Sequence, residues 1–201
     1  MLFTMRLLPL LKASSHHPRV VSILRAGLEH FDIDLDDLDA KKPAKSNWDY
    51  AMRCAPVIET MNTVCLEQLA EQNPEVTFVH KFPGLVKTSI FTSGWGDAWS
   101  FRKAMFTYVV PAFVTITGMS DEEVGQRCLY TLFSARYGGG GVKGSEGEKP
   151  LANSKGGRDH EGAFLVKEDD EPAVNTKVLA ELRRRGVPSR VLEETLAVTA
   201  P

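Results

Sequence analysis

The sequence predicts an α/β fold, a partial doubly wound parallel sheet of about three strands with flanking helices. Two observations carry that expectation. Arg19 to Leu24 and Val76 to Phe82 are short runs rich in β-branched and aromatic residues, as strands covered on both faces require. Between them, Trp48 to Gln72 carries Ala51, Met52, Ala55, Ile58, Met61, Cys65, Leu66 and Leu69 at the spacing of one buried helix face. Strand, helix, strand is the unit whose strands run parallel. Ala163 to Lys167 is expected to supply the third strand, with the Val76 strand adjacent to both others.

The chain has 201 residues, enough for one domain with a real core. Its 26 acidic and 24 basic residues leave a net charge of -2, which argues against a general affinity for nucleic acid. Cys54, Cys65 and Cys128 lack metal-ligand spacing and read as reduced thiols in a cytoplasmic chain. Met1 to Leu11 is apolar but interrupted by Arg6 and Pro9, so it reads as a helix rather than a leader. Ala104 to Met119 is the most apolar run. It carries Pro111 and is slightly short for a span, so a buried or lid-forming helix is expected and no stable membrane span.

Leu2, Met5, Leu8 and Leu11 recur at helical spacing without an N-cap before Met1. Pro18 ends that helix, and Gly27 follows the first strand. Phe31 to Ala40 alternates acidic and apolar residues. A calcium loop starting at Asp32 would need Gly and Glu where Asp37 and Pro43 stand, so a solvated loop with Ile33, Leu35 and Leu38 packed inward is expected. Pro56 is expected to kink the long helix or to mark its true start.

Trp99 to Ile116 resumes a helical pattern, broken at Pro111. Ser120-Asp121-Glu122-Glu123 is a capping box, opening a helix to about Arg136 with Val124, Cys128, Leu129, Leu132 and Phe133 on one face. Tyr137 to Gly162 is Gly-rich and reads as a mobile loop. Its four consecutive glycines follow a helix, not a strand, and so do not match a dinucleotide fingerprint. His160-Glu161 lacks the second His of a zinc helix motif. Pro172 to Arg185 reads as a helix closed by Gly186, with Arg183, Arg184 and Arg185 as its solvated end. Pro188 to Val198 is a last short helix.

The Val76 strand ends at Pro83-Gly84, at the carboxyl edge where open parallel sheets place ligands. Leu69-Ala70, Val76 to Val79 and Pro83-Gly84-x-x-x-Thr88 resemble the short-chain dehydrogenase/reductase family. Leu8-Pro9-Leu10-Leu11, Arg19-Val20-Val21-Ser22, Thr60-Met61, Leu66-Glu67-x-Leu69-Ala70 and Ser134-Ala135-Arg136-Tyr137 are similar to a fungal branch of it, several members of which serve secondary metabolism.

The resemblance implies NADP or NAD as cofactor, with Pro83, Gly84 and Val86 along the nicotinamide and the Thr88 hydroxyl on its carboxamide. It implies a small apolar alcohol or ketone as substrate. On this mapping residues 1–201 are one C-terminal part of such a domain, its strands the last three of seven, so that a truncated chain prone to self-association, as a homo-oligomer, is expected. The family's Gly-x-x-x-Gly-x-Gly turn does not occur in the sequence, and Ala55 and Glu59 stand at the places of its catalytic Tyr and Lys. Ser22 and Tyr50 are the nearest hydroxyl substitutes. Two readings stand: an NAD(P)-linked oxidoreductase, and a catalytically inactive dehydrogenase-like protein acting by binding or subunit association.

Overall fold

Three strands form one parallel sheet in the order β1 (Arg19–Ile23), β2 (Thr77–Lys81), β3 (Phe164–Val166), with Val21 opposite Val79 and Val79 opposite Phe164. The expected pairing and central strand are therefore observed, in a computed structural model that describes residues 1–39, 41–43, 45, 47–87, 105–138, 149–157 and 162–199. Side chains alternate between the two faces of the sheet; β2 and β3 are buried on both, whereas β1 is half-buried and its Ile23 exposed. Phe78 and Leu165 face a core shared with Val64, Leu66, Leu69, Leu179, Leu182 and Val191. Val79, Phe164 and Val166 face the opposite way, against Tyr137 and Leu151.

The first core is closed by α1 (Leu2–Lys12), α2 (Asn47–Gln72), α5 (Thr176–Arg184) and α6 (Val187–Thr199). Between β2 and β3 run α3 (Val110–Thr117) and α4 (Asp121–Phe133). Helix α2 is continuous through Pro56, so that proline does not mark its start. The Thr60 hydroxyl donates to the Pro56 carbonyl at 2.7 Å. The face of α2 differs from expectation: Met52 and Ile58 are exposed, whereas Glu59, Thr63 and Glu67 are buried. Those three recur every four residues, in the same helical stripe as Leu66 and Ala70.

A five-residue π-helical turn, Met105–Val109, leads into α3. Pro111 in the first turn of α3 has no N–H to give the preceding ladder, which accounts for the widened turn. Residues 99–104 of the expected helix lie outside the described residues. Ser120 caps α4, accepting from the Glu123 amide at 3.2 Å. Glu123 turns its carboxylate to Arg127, so only half of the capping box forms. Leu129, Leu132 and Phe133 are exposed and Thr131 is buried, so α4 meets the sheet along Val124, Arg127 and Thr131 rather than along its leucines.

Helix α5 starts at Thr176 rather than Pro172. The intervening chain turns back along β3, with a Val166–Pro172 bridge and the Ala173 amide on the Leu165 carbonyl at 2.9 Å. Arg183 and Arg185 are not a solvated helix end. Arg183 donates to the buried Glu67 carboxylate, and Arg185 donates to the Phe31 and Ile33 carbonyls. Tyr137, expected in a loop, is fully buried, as are Leu151 and Asn153 nearby. The acidic loop is a solvated one: Ile33 is buried, and Asp34 and Asp39 are paired with Lys42 and Lys41. Cys54 and Cys65 are buried and Cys128 half-buried. Among the described residues no helix is long and apolar enough to cross a membrane.

Candidate functional site

The three strands end level. The Leu24 amide donates to the Lys81 carbonyl at 2.9 Å, and the Phe82 amide to the Val166 carbonyl at 2.8 Å. Two residues beyond the paired Ile23 and Lys81, Arg25 and Pro83 stand off the carboxyl ends of neighbouring strands. That is the edge at which open parallel sheets bind ligands.

Pro83, Gly84 and Val86 are half-buried there. Gly84 has φ +76, a conformation that favours glycine. A Cβ at Gly84 would lie 2.6 Å from Met119 Cε and 2.8 Å from Glu168 Cβ. The close approach that this glycine permits is thus to two protein side chains. Val86 pairs with Met119, and the Met119 amide donates to the Leu85 carbonyl at 2.8 Å, so the turn is fastened to the end of α3. Gly84→Ala is expected to lower stability by about 1–2 kcal/mol from the left-handed backbone alone. A thermal-melt loss well below that would show that Met119 and Glu168 move aside freely and the backbone relaxes. Thr88 lies outside the described residues.

Neither hydroxyl substitute joins this edge directly. The Ser22 hydroxyl donates to Asn62 Oδ1 at 3.0 Å, inside the sheet–α2 contact. Tyr50 is 46% exposed on the first turns of α2. A hydrogen bond with Cys54 raises its pKa, the wrong direction for a phenol that must ionise. Nine residues separate it from Glu59, about 14 Å along a helix.

What the edge does carry is a set of polar side chains from β2, α2 and the loop after β1. Arg25 Nε donates to Glu59, whose side chain is only 4% exposed while that of Arg25 is 45% exposed. Behind them the Thr63 hydroxyl lies 2.8 Å from Glu29 Oε1 and 2.8 Å from His80 Nδ1. Glu29 Oε1 also accepts from the Gly27 amide at 3.0 Å. A hydroxyl donates once. With Thr63 donating to Glu29, the His80 Nδ1–H donates to Thr63 and Nε2 is the bare nitrogen. Glu29 Oε2 and His80 Nε2 are buried without a partner among the described residues.

The electrostatics follow from burial. Desolvation raises the Glu59 pKa, and the Arg25 guanidinium acts against it. Desolvation raises Glu29 as well, against its hydrogen bond from Thr63. His80 falls to about 4, so the imidazole is neutral at ordinary pH. The arrangement offers one ionic pair at the surface and, beneath it, a neutral imidazole joined through the Thr63 hydroxyl to the buried Glu29 side chain. Sequence reasoning missed Arg25, Glu29, Thr63 and His80. The signal lay in α2, where Glu59, Thr63 and Glu67 continue an otherwise apolar stripe.

On the opposite face, Lys81 Nζ lies 2.5 Å from Asp170 Oδ1. A cleft of about 530 Å³ beside it is lined by Glu123, Gln126, Arg127, Tyr130, Arg136, Asp169 and Asp170. Another cleft of about 510 Å³ lies between the acidic loop, Met61 and α6. Among the described residues no group of three or more His, Cys, Asp or Glu could hold a metal ion.

Comparison with known proteins gives the chain its relatives. In an alignment 201 positions long that takes in 97% of the chain, it is 33% identical to an oxidoreductase of Emericella nidulans, of which it covers 57%. It is likewise 33% identical to Oxidoreductase andH of Emericella variicolor, over 98% of the chain and 57% of that protein. It is 34% identical to the NmrA-like family domain-containing oxidoreductase notO of an Aspergillus species, over 97% of the chain and 52% of that protein. No protein-family model and no solved structure matches the chain. It spans about half the length of the curated relatives it matches, and along nearly all of its own length it is similar to fungal oxidoreductases.

Proposed function

We propose that the protein is an NAD(P)-linked oxidoreductase of the short-chain dehydrogenase/reductase kind, acting on a small apolar alcohol or ketone, in a role such as fungal secondary metabolism. The observation that carries this reading is the Pro83-Gly84 turn at the carboxyl edge of the central parallel strand, beside the Arg25–Glu59 pair. The similarity to fungal proteins named oxidoreductases supports it. Bound NAD(P) would supply hydride transfer. Pro83, Gly84 and Val86 would flank its nicotinamide, and Thr88 would hold the carboxamide. The apolar α3, with Phe113 and Ile116 exposed, would cover the substrate.

Titration with NADPH, followed by quenching of tryptophan fluorescence, tests the reading. Quenching is expected, and Thr88→Ala should weaken affinity about fivefold to tenfold, the loss of one hydrogen bond of about 1–1.5 kcal/mol. Unchanged affinity in calorimetry would remove Thr88 from the site. No quenching by NADPH or NADH favours the second reading, an inactive dehydrogenase-like protein that works by association. Its support is the exposed apolar surface at Phe3, Leu10, Ile116 and Phe133, together with Ala55 in place of a proton donor.

A further inference from the structure

We propose that the cleft between the acidic loop and α6 binds an apolar organic amine in its protonated form, the hydrocarbon body on Leu35, Leu38, Met61 and Val198 and the ammonium at Asp36 and Asp39. None of the residues lining this cleft belongs to the strand edge around Pro83 and Arg25. The inference therefore goes beyond the oxidoreductase reading and does not depend on it.

Room, surface and rigidity suit a small organic molecule. The cleft measures about 510 Å³, and small-molecule sites run to roughly 300–1,000 Å³. Leu35 and Leu38 of the loop and Met61 of α2 pack against the core and also line the cleft, and Val198 of α6 lines it while exposed. Hydrocarbon laid on these side chains is taken from water. The loop wall is fastened. Arg185 donates to the Phe31 carbonyl at 2.6 Å and to the Ile33 carbonyl at 3.3 Å, and Ile33 itself is buried. The Lys42 amide donates to the Asp37 carboxylate at 3.2 Å. The wall formed by α6 is held by buried Val191 and Leu192. The cleft is thus formed without a ligand, and little has to be ordered on binding.

Charge selects the amine. The carboxylates of Asp36, Asp39 and Glu194 line the cleft against the single guanidinium of Arg190. Lys41 pairs with Asp39 from outside the lining and offsets part of the excess. Arg190 is already engaged, 2.7 Å from Glu194 and 3.8 Å from Glu193, so it does not offer an anion a free partner. The Asp36 amide donates to Asp34, but the Asp36 carboxylate has no hydrogen-bond or ion-pair partner among the described residues. A carboxylate ligand would meet like charge, and a neutral one would leave Asp36 unanswered. An ammonium group answers it, and at an exposed residue it keeps much of its water while the hydrocarbon body is covered.

The test uses the 201-residue chain, with three probes of one shape: cyclohexylmethylamine, cyclohexylmethanol and cyclohexylacetate. The methyl ¹³C signal of Met61, assigned from Met61→Leu, is followed during titration at low salt. Cyclohexylmethylamine is expected to move it saturably, cyclohexylmethanol to bind at least about fivefold more weakly, and cyclohexylacetate to leave it in place. Added salt should weaken the amine and not the alcohol. Asp36→Asn with Asp39→Asn should bring the amine down to the affinity of the alcohol. Val198→Trp, at an exposed position, should block all three probes while the melting temperature stays within about 2 °C. Equal affinity for amine and alcohol, or a preference that survives the double asparagine variant, overturns the proposal. So does a Met61 signal that ignores every probe, including one that moves only with protein concentration, which would assign the cleft to contact between copies of the chain.

Discussion

Asp170→Ala is expected to destabilise the protein by about 3–5 kcal/mol, the cost of leaving a buried charge without its partner. The charge is the Lys81 ammonium, on a side chain only 1% exposed and 2.5 Å from Asp170 Oδ1. The same oxygen accepts from the Tyr137 hydroxyl at 3.3 Å. Burial raises the Tyr137 pKa, and the Asp170 charge raises it further, so this phenol stays protonated and keeps donating. Asp170 also has φ +67, where alanine is strained by about 1–2 kcal/mol. Asp170→Gly removes the carboxylate without the strain and should recover that smaller part alone. Adding Lys81→Met to Asp170→Ala should recover more, because the orphaned ammonium is then gone. Urea midpoints at constant m-value read all four proteins. A loss below about 1 kcal/mol for Asp170→Ala would mean that Lys81 finds solvent when its partner is removed, contrary to its burial.

The same cluster shows where the sequence was legible and where it was not. Arg19–Ile23 and Thr77–Lys81 were readable because β-branched and aromatic residues gather in and around them, although only Thr77–Lys81 is buried on both faces and Arg19–Ile23 is half-buried. Yet the polar members of Thr77–Lys81, His80 and Lys81, went unused. Periodicity marks apolar stripes, and the partners that let these two be buried lie far off in sequence: Thr63 on α2 and Asp170 after β3. For the same reason α2 was read with Met52 and Ile58 inward. An apolar residue on a helix of a small sheet is not obliged to be covered, whereas Glu59 and Glu67 are inward because Arg25 and Arg183 meet them. Helix starts failed at Pro172 because the chain prefers to bridge Val166 first. Of the candidate site, the Pro83-Gly84 turn could be read from its place after a strand, but the carboxylate beside it could not. Glu59 had been weighed only against a lysine, and no local pattern announces an ion pair between a loop arginine and a helix 34 residues on.

Stability should fall on the acid side of neutrality by roughly 3 kcal/mol on account of His80 alone. Its pKa is about 4 in the folded protein against 6.5 as the ordinary value, and burial is the cause. The folded state therefore binds fewer protons than the unfolded state through that window. The contribution of His80 is complete above about pH 6.5, is lost progressively as the pH falls towards 4, and is flat below. Glu29 and Glu59 act with the opposite sign. Their raised carboxyl pKa values mean that the folded state holds protons the unfolded chain has released, so they favour folding at lower pH and lose that contribution as pH rises through their folded values. The net acid limb in the wild type is consequently shallower than His80 alone would give. Comparison with His80→Gln isolates the imidazole, since the glutamine cannot take up a proton but can still reach Thr63. The difference in unfolding free energy between the two proteins should change by roughly 3 kcal/mol between pH 7 and pH 4, with the wild type losing more. A constant difference across that range would show that His80 titrates normally, and that water or a rearranged Glu29 reaches its bare nitrogen.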